Sequence, residues 1–409
     1  MNWLRHSISV SLVAAFAAPV LAQSLEAEVC QDARAEPRAA ISACTRVLRV
    51  PTLTPQQLAH FIYNRGVWYQ QLADHQRALA DFDKAIEHAP DFVQAWVNRG
   101  LARSNLQQYG QAILDFDRAI ELNPSLAIAF NNRGDARKRI GNIDGALDDF
   151  ETAIRLNATF AEAINNRGSI YSDKGEIGKA IADYSQAIKI NPKLVAAIVN
   201  RGKTYTDARQ FDLAALDFNR AIVIKGDFAE TYMGRGNMHQ AMRQYDKAIS
   251  DHTRAIDLTP DNPDAYDRRG SDYLLAGRFP AAIQDYDRAI GLNPSFAKSY
   301  SNRCAAYSLV KQYDRAMEDC NKAISLMPGL AEAHSNLGFQ FIRLGQFSAA
   351  IPSFEKAIQL DPKYAEALWG RSLAYAKTGD LRAAERDRNS ARAINAAIEE
   401  EMAEFPVPK

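Results

Sequence analysis

A small residue returns every 34 positions along most of this chain, and nothing else limits its fold so tightly. Gly66, Gly100, Gly134, Gly168, Gly202, Gly236 and Gly270 keep that spacing, and Cys304, Gly338 and Ser372 continue it. Alanine follows twelve positions after each, from Ala78 and Ala112 to Ala384, and again seven later, from Ala85 to Ala391. Such a period marks one supersecondary unit copied many times, each copy burying its apolar face on its neighbours. Small residues let paired helices approach closely, and larger ones fill the space between them. Phe82, Phe116, Phe150, Tyr184, Phe218, Tyr286 and Phe354 are the fillers on the second helix. Gly141, Gly175, Gly277, Gly345 and Gly379 suit the end of the first helix, and prolines from Pro90 to Pro362 mark the exit of the second. Asp91, Ser125, Thr159, Asp227 and Ser295 then read as N-caps of the following hairpin.

This framework of small residue, alanine, aromatic, alanine and proline resembles the tetratricopeptide repeat, over residues 59–398 in ten copies. The chain departs from the family in writing Asn-Arg-Gly, as in Asn98-Arg99-Gly100, where leucine commonly precedes the glycine. The resemblance implies an all-α, right-handed superhelical solenoid of antiparallel helix pairs, with first helices lining a concave groove. The ends of such a stack need lids. Residues 23–58 are expected to form an N-terminal capping hairpin, in which Thr54-Pro55-Gln56-Gln57 reads as a capping box with a first-turn proline. At the other end Arg388 and Arg392 replace the aromatic and the isoleucine. They predict a solvated closing face and a helical run through Glu399, Glu400 and Glu401, within a terminal segment 399–409.

Residues 1–22 carry the three parts of a secretory signal: Arg5 and His6, an apolar run from Ile8 to Phe16, and small residues Val20 and Ala22 before a cut. The run is shorter than the roughly 20 residues of a spanning helix. Export to a periplasmic or secreted location follows. In that setting four cysteines suggest disulfides, with Cys30 paired to Cys44 and Cys304 to Cys320. For the second set, two free thiols filling the core are the alternative. Forty-nine basic residues balance forty-nine acidic ones, so no global field draws the chain to nucleic acid or an anionic bilayer.

Comparing the copies with one another exposes two further patterns. Arginine precedes the small residue in nine copies, and an aspartate stands sixteen positions later each time, as in Arg133 with Asp149 and Arg167 with Asp183. The ninth copy lacks both, having Leu337 and Ser353. The coincidence predicts an ion pair inside each of the nine hairpins; a pair between successive repeats is the rival. Before the arginine stands asparagine in seven copies: Asn64, Asn98, Asn132, Asn166, Asn200, Asn302 and Asn336. By the family's geometry these face the groove, where amides that both donate and accept can grip a peptide backbone. The same amides would serve equally well as bonds between neighbouring helices. Gly234 and Arg268 interrupt the ladder, and Phe339, Ile342, Trp369 and Leu373 form an apolar end. That end is expected to pack on the closing helix.

His239 and His252 stand at positions that are aromatic in other copies, with too few further ligands nearby for a metal site. No nucleophile elbow, zinc-helix motif or phosphate loop occurs. The expectation is a non-enzymatic scaffold without a cofactor, which binds extended segments of other proteins in its groove. The alternative is a structural, self-assembling protein without a peptide ligand.

Overall fold

A computed structural model of the chain describes residues 25–402. The expected signal at 1–22 and the tail beyond Met402 lie outside the described residues. Every regular element among those described is a helix. The first two are α1 (Leu25–Gln31) and α2 (Pro37–Val47). Then come α3 (Pro55–Gln71) with α4 (His75–His88), α5 (Val93–Asn105) with α6 (Tyr109–Leu122), α7 (Ala127–Arg139) with α8 (Ile143–Leu156), and α9 (Ala161–Asp173) with α10 (Ile177–Ile190). Next are α11 (Val195–Asp207), α12 (Phe211–Ile224), α13 (Ala229–Ala241), α14 (Tyr245–Leu258), α15 (Pro263–Leu275) and α16 (Phe279–Leu292). The last are α17 (Ala297–Leu309), α18 (Tyr313–Leu326), α19 (Ala331–Arg343), α20 (Phe347–Leu360), α21 (Ala365–Thr378), α22 (Leu381–Ile394) and α23 (Ile398–Glu401). The chain forms two compact units, one ending at Arg201 and the other beginning at Gly202, within α11.

The repeated small residue has a direct steric cause. A Cβ added at Gly100 would stand 2.6 Å from the Phe116 ring, and one at Gly134 2.8 Å from the Phe150 ring. The aromatic ring of the second helix lies close against the backbone of the first, where a side chain at these glycines would collide with it. In the eighth repeat Cys304 and Cys320 take these two positions, and their sulfurs stand at disulfide distance, both wholly buried. A cross-link replaces the ring-on-glycine contact there.

The turn between the two helices requires a left-handed residue. Gly141, Gly175, Gly277, Gly345 and Gly379 have φ between 72° and 92°. Ala73, Gln107, Arg209, Arg243 and Lys311 occupy the same register position with φ between 57° and 63°. Each of these five carries the side-chain clash of the left-handed region, about 1–2 kcal/mol. The turn geometry is therefore imposed by the helix pair, whatever residue sits there.

The expected N-caps are corrected. The N-caps of α5, α7, α9, α13 and α17 fall one residue later, at Phe92, Leu126, Phe160, Phe228 and Phe296, without side-chain cap bonds. Ser125 and Thr159 instead donate backwards to Asn123 and Asn157 at 2.8–3.1 Å. These asparagines close the loop from its upstream side and consume the hydroxyls locally.

Both lids form. Helices α1 and α2 bring Cys30 and Cys44 to disulfide distance in a buried cluster, and Trp68 Nε1 donates to the Cys30 carbonyl at 3.0 Å. The capping box at Thr54 and Gln57 is complete in both directions. At the far end the expected run through Glu399, Glu400 and Glu401 is helical, but a break separates it from the last repeat. Helix α22 stops at Ile394, Asn395 turns the chain by accepting from the Ala397 N–H, and α23 follows as a separate short helix. That break lets Ile398 and Met402 fold back on the last repeats, where Met402 packs on the clusters holding Phe339, Ile342, Leu373 and Trp369. The chain itself thus packs on part of this apolar end, while Trp369 and Leu373 stay half-buried.

Candidate functional site

Within each unit, first helices of successive hairpins touch: α3 with α5, α5 with α7, α13 with α15, α15 with α17, α17 with α19 and α19 with α21. No pair of successive second helices makes a comparable contact among the described residues, so the first helices form the inner side of each curved stack. The asparagine row lies on these inner helices. Asn98 donates to the Tyr63 hydroxyl at 2.6 Å, Asn166 to Asn131 and Asn200 to Asn165 at 3.0 Å, and Asn302 to Asp267 at 3.2 Å. Asn336 donates to the Ser301 carbonyl and hydroxyl, each at 3.0 Å. Every one of these bonds spans 35 residues, which ties an inner helix to the one before it. The amides thus rivet consecutive repeats, and Tyr63, Asn131, Asn165, Asp267 and Ser301 are the acceptors.

Exposure divides the row. Asn64, Asn98 and Asn166 are buried, whereas Asn132, Asn200, Asn302 and Asn336 are half-buried. Asn132 accepts from Asn131 at 3.3 Å, while its own Nδ2 is shielded and has no partner. An unmet donor of this kind is costly until a carbonyl reaches it. Around it the polar residues of the third and fourth repeats bond to one another, with Lys138 on Ser169 at 2.6 Å and on Asp173 at 2.7 Å.

The arginine row lies behind the asparagines. Arg65–Asp81, Arg99–Asp115, Arg133–Asp149, Arg167–Asp183, Arg235–Asp251, Arg269–Asp285, Arg303–Asp319 and Arg371–Asp387 all bond within their hairpins at 2.6–2.8 Å. The outer nitrogens also cross to the preceding repeat, but to a different aspartate from the one the rival pairing would use. The outer nitrogen of Arg99 reaches Asp83 of the preceding repeat at 2.7 Å, Arg133 reaches Asp117 at 2.6 Å, and Arg303 reaches Asp287 at 2.5 Å. One planar guanidinium serves two carboxylates on opposite edges, a geometry that an ammonium cannot copy. The aspartates inside are nearly sealed, and burial pushes the Asp115 carboxyl up against the pull of Arg99 and Arg103. In each of these eight pairs the guanidinium is already matched by at least one carboxylate.

The sixth and seventh repeats differ from the rest. His252 takes the aromatic position and is wholly buried, and its Nδ1 lies 2.5 Å from Asp272 of the next repeat. Gln240 donates to the other oxygen of Asp272 at 2.7 Å. Sequence reading found the histidine but missed Asp272, whose register position holds alanine in several other copies, such as Ala102, Ala136 and Ala306. That solitary carboxylate was the available signal. Among the described residues no three metal-binding side chains converge, here or elsewhere. Beside this node a small recess of about 150 Å³ is lined by Gln240, Asp267, Arg268, Ser271, Phe296 and Lys298 among others. Burial pushes the Asp267 carboxyl up, against the bonds donated by Ser299 and Asn302.

Paired helices stacked through a small-residue contact, with polar bonds between repeats, define an α-solenoid repeat protein. Family profiles described as "Tetratricopeptide repeat" match residues 59–92, 93–126, 161–194 and 227–297, and one described as "TPR repeat" matches 340–379. Together they span about half of the chain, which belongs to the tetratricopeptide repeat family. A crystal structure of a tetratricopeptide repeat protein from Parabacteroides merdae aligns with a TM-score of 0.50 and 20% identity, over 61% of this chain and 98% of that one. The structure of the APC/C hetero-tetramer Cut9–Hcn1 aligns with a TM-score of 0.53 and 14% identity, over 92% of this chain and 95% of that one. Identities this low report on the fold alone. No curated protein matches the sequence. As a tetratricopeptide repeat protein the chain is a protein–protein interaction scaffold. Its cysteine pairs suit an oxidising compartment, and no described helix is long and apolar enough to cross a membrane.

Proposed function

We propose that this chain is an exported adaptor of the cell envelope that holds extended segments of other proteins along its inner helices. The observation that carries the reading is the row of half-buried amides at Asn132, Asn200, Asn302 and Asn336, which includes a donor without a partner at Asn132. Amides along one face bind a peptide backbone without demanding a particular sequence. The buried Asn98 and Asn166 hold the scaffold beneath, and Asn64 is buried too. The two cysteine pairs support export, since such pairs persist where thiols are oxidised.

A photo-crosslinking amino acid placed at Asn132 or Asn302 in cells tests the reading. The comparison is the same probe at Lys247, which is exposed on a second helix. Polypeptides captured from the envelope at the two inner positions and not at Lys247 are the expected result. Equal capture at all three, or none at the inner pair, overturns the proposal.

A further inference from the structure

The outer surface of helix α12 breaks the pattern of the other second helices. At the register positions of Leu213, Leu216 and Val223 the sixth repeat has Lys247, Ser250 and Asp257, and the eighth has Arg315, Glu318 and Ser325. In the third they are Gly145, Asp148 and Arg155. Only α12 carries a large aliphatic residue at all three. Leu213 is 44% exposed, Leu216 67% and Val223 87%. With Arg220 between them they follow a 3–4–3 spacing, which puts all four on one stripe of the helix. A solvated outer face gains nothing from such residues, and here it leaves an apolar strip uncovered.

The ends of the strip say what fits it. Arg209 lies just before the helix and Asp227 just after it, and both are exposed. Positive charge near a helix N-terminus and negative charge near its C-terminus oppose the helix dipole. An identical helix laid antiparallel reverses both contacts. Setting Leu213 opposite Val223 of the second copy places Leu216 opposite the stem of its Arg220 and Arg209 opposite its Asp227. The two-fold operation then repeats each contact, as an isologous interface requires. We infer that the outer face of α12 is a homodimer interface, in which two copies of this chain pair their α12 helices antiparallel, closed at each end by Arg209 and Asp227 of opposite copies. This inference is independent of the peptide-binding reading, because it uses the outer face and not the inner helices. A single helix pair buries little area, so the dimer is weak and forms only at high concentration.

Light scattering on the full chain across a concentration series tests it, with circular dichroism to verify folding. Wild type should rise from the 45.4 kDa monomer toward twice that mass. Leu216→Asp, on the exposed strip, should weaken association at least about tenfold. Arg209→Asp alone and Asp227→Arg alone should each weaken it, and the two together should return it to within about threefold of wild type. A wild-type mass that stays monomeric at millimolar concentration overturns the inference, and so does an undiminished Leu216→Asp dimer. Failure of the double charge reversal to recover association overturns the antiparallel register.

Discussion

The ninth repeat supplies a natural control for the ion pair of the other hairpins, because it does without both members. Transferring its residues to the fourth repeat, as Arg167→Leu with Asp183→Ser, makes the control an experiment. Arg167 donates to Asp183 through two nitrogens, at 2.8 Å each. The side chains are 22% and 8% exposed, and the Asp183 bonds hold the guanidinium above its ordinary value. Arg167→Leu alone leaves a nearly buried carboxylate without its partner. Stranded buried charges cost about 3–5 kcal/mol, and the residual exposure puts this one near 3. Asp183→Ser alone leaves a guanidinium that water still reaches, at about 2 kcal/mol. The double replacement strands nothing and should cost about 2 kcal/mol in local repacking, which leaves an interaction term of about 3 kcal/mol. Repeat arrays do not unfold in one step, so native-state hydrogen exchange in α9 and α10 is the suitable assay. If the double replacement costs as much as the two single ones combined, the hairpin pair is not what holds these helices together.

Two other expectations test the turn and the inner face. Lys311→Gly should stabilise the eighth repeat by about 0.5–1 kcal/mol, read as a higher urea midpoint, because it removes a left-handed clash at φ 63° and adds glycine's smaller entropic cost. Asp267→Asn should keep both incoming bonds, from Ser299 and Asn302, and remove a buried charge. Its parent carboxyl is raised by burial, so the penalty of charging it in the folded state is absent below the ordinary aspartate range. The penalty appears as pH climbs through the raised folded value. The variant should therefore unfold at higher urea than wild type at pH 7, and the difference should vanish on acidification. A gap that persists at pH 3 contradicts this cause.

Much of the chain was legible because one hairpin is a local object. The distance from Arg133 to Asp149, like that from Gly134 to Phe150, is fixed by two helices and a turn, and ten copies average away accidents at any one position. For the same reason the left-handed turn could be placed from Gly141 and Gly175 alone. N-caps were misplaced because the choice between Ser125 capping forwards and bonding backwards to Asn123 depends on one residue of register. The break at Asn395 was missed because an apolar Ile398 after a polar helix reads equally well as the next turn of that helix.

Sequence by itself determined the repeat, the pairing of helices and which residues meet inside each hairpin, since those contacts follow from short loops and fixed periodicity. Tertiary structure alone decided what lies between hairpins. Asn98 and Asn132 are the same residue at the same register position, yet Asn98 is sealed on Tyr63 and Asn132 keeps an unmet donor. His252 found Asp272 across a repeat boundary, and Met402 returned to pack on the cluster that holds Phe339. An amide or an imidazole accepts many partners, so its role is set by the neighbour that the stacking geometry brings within three ångströms.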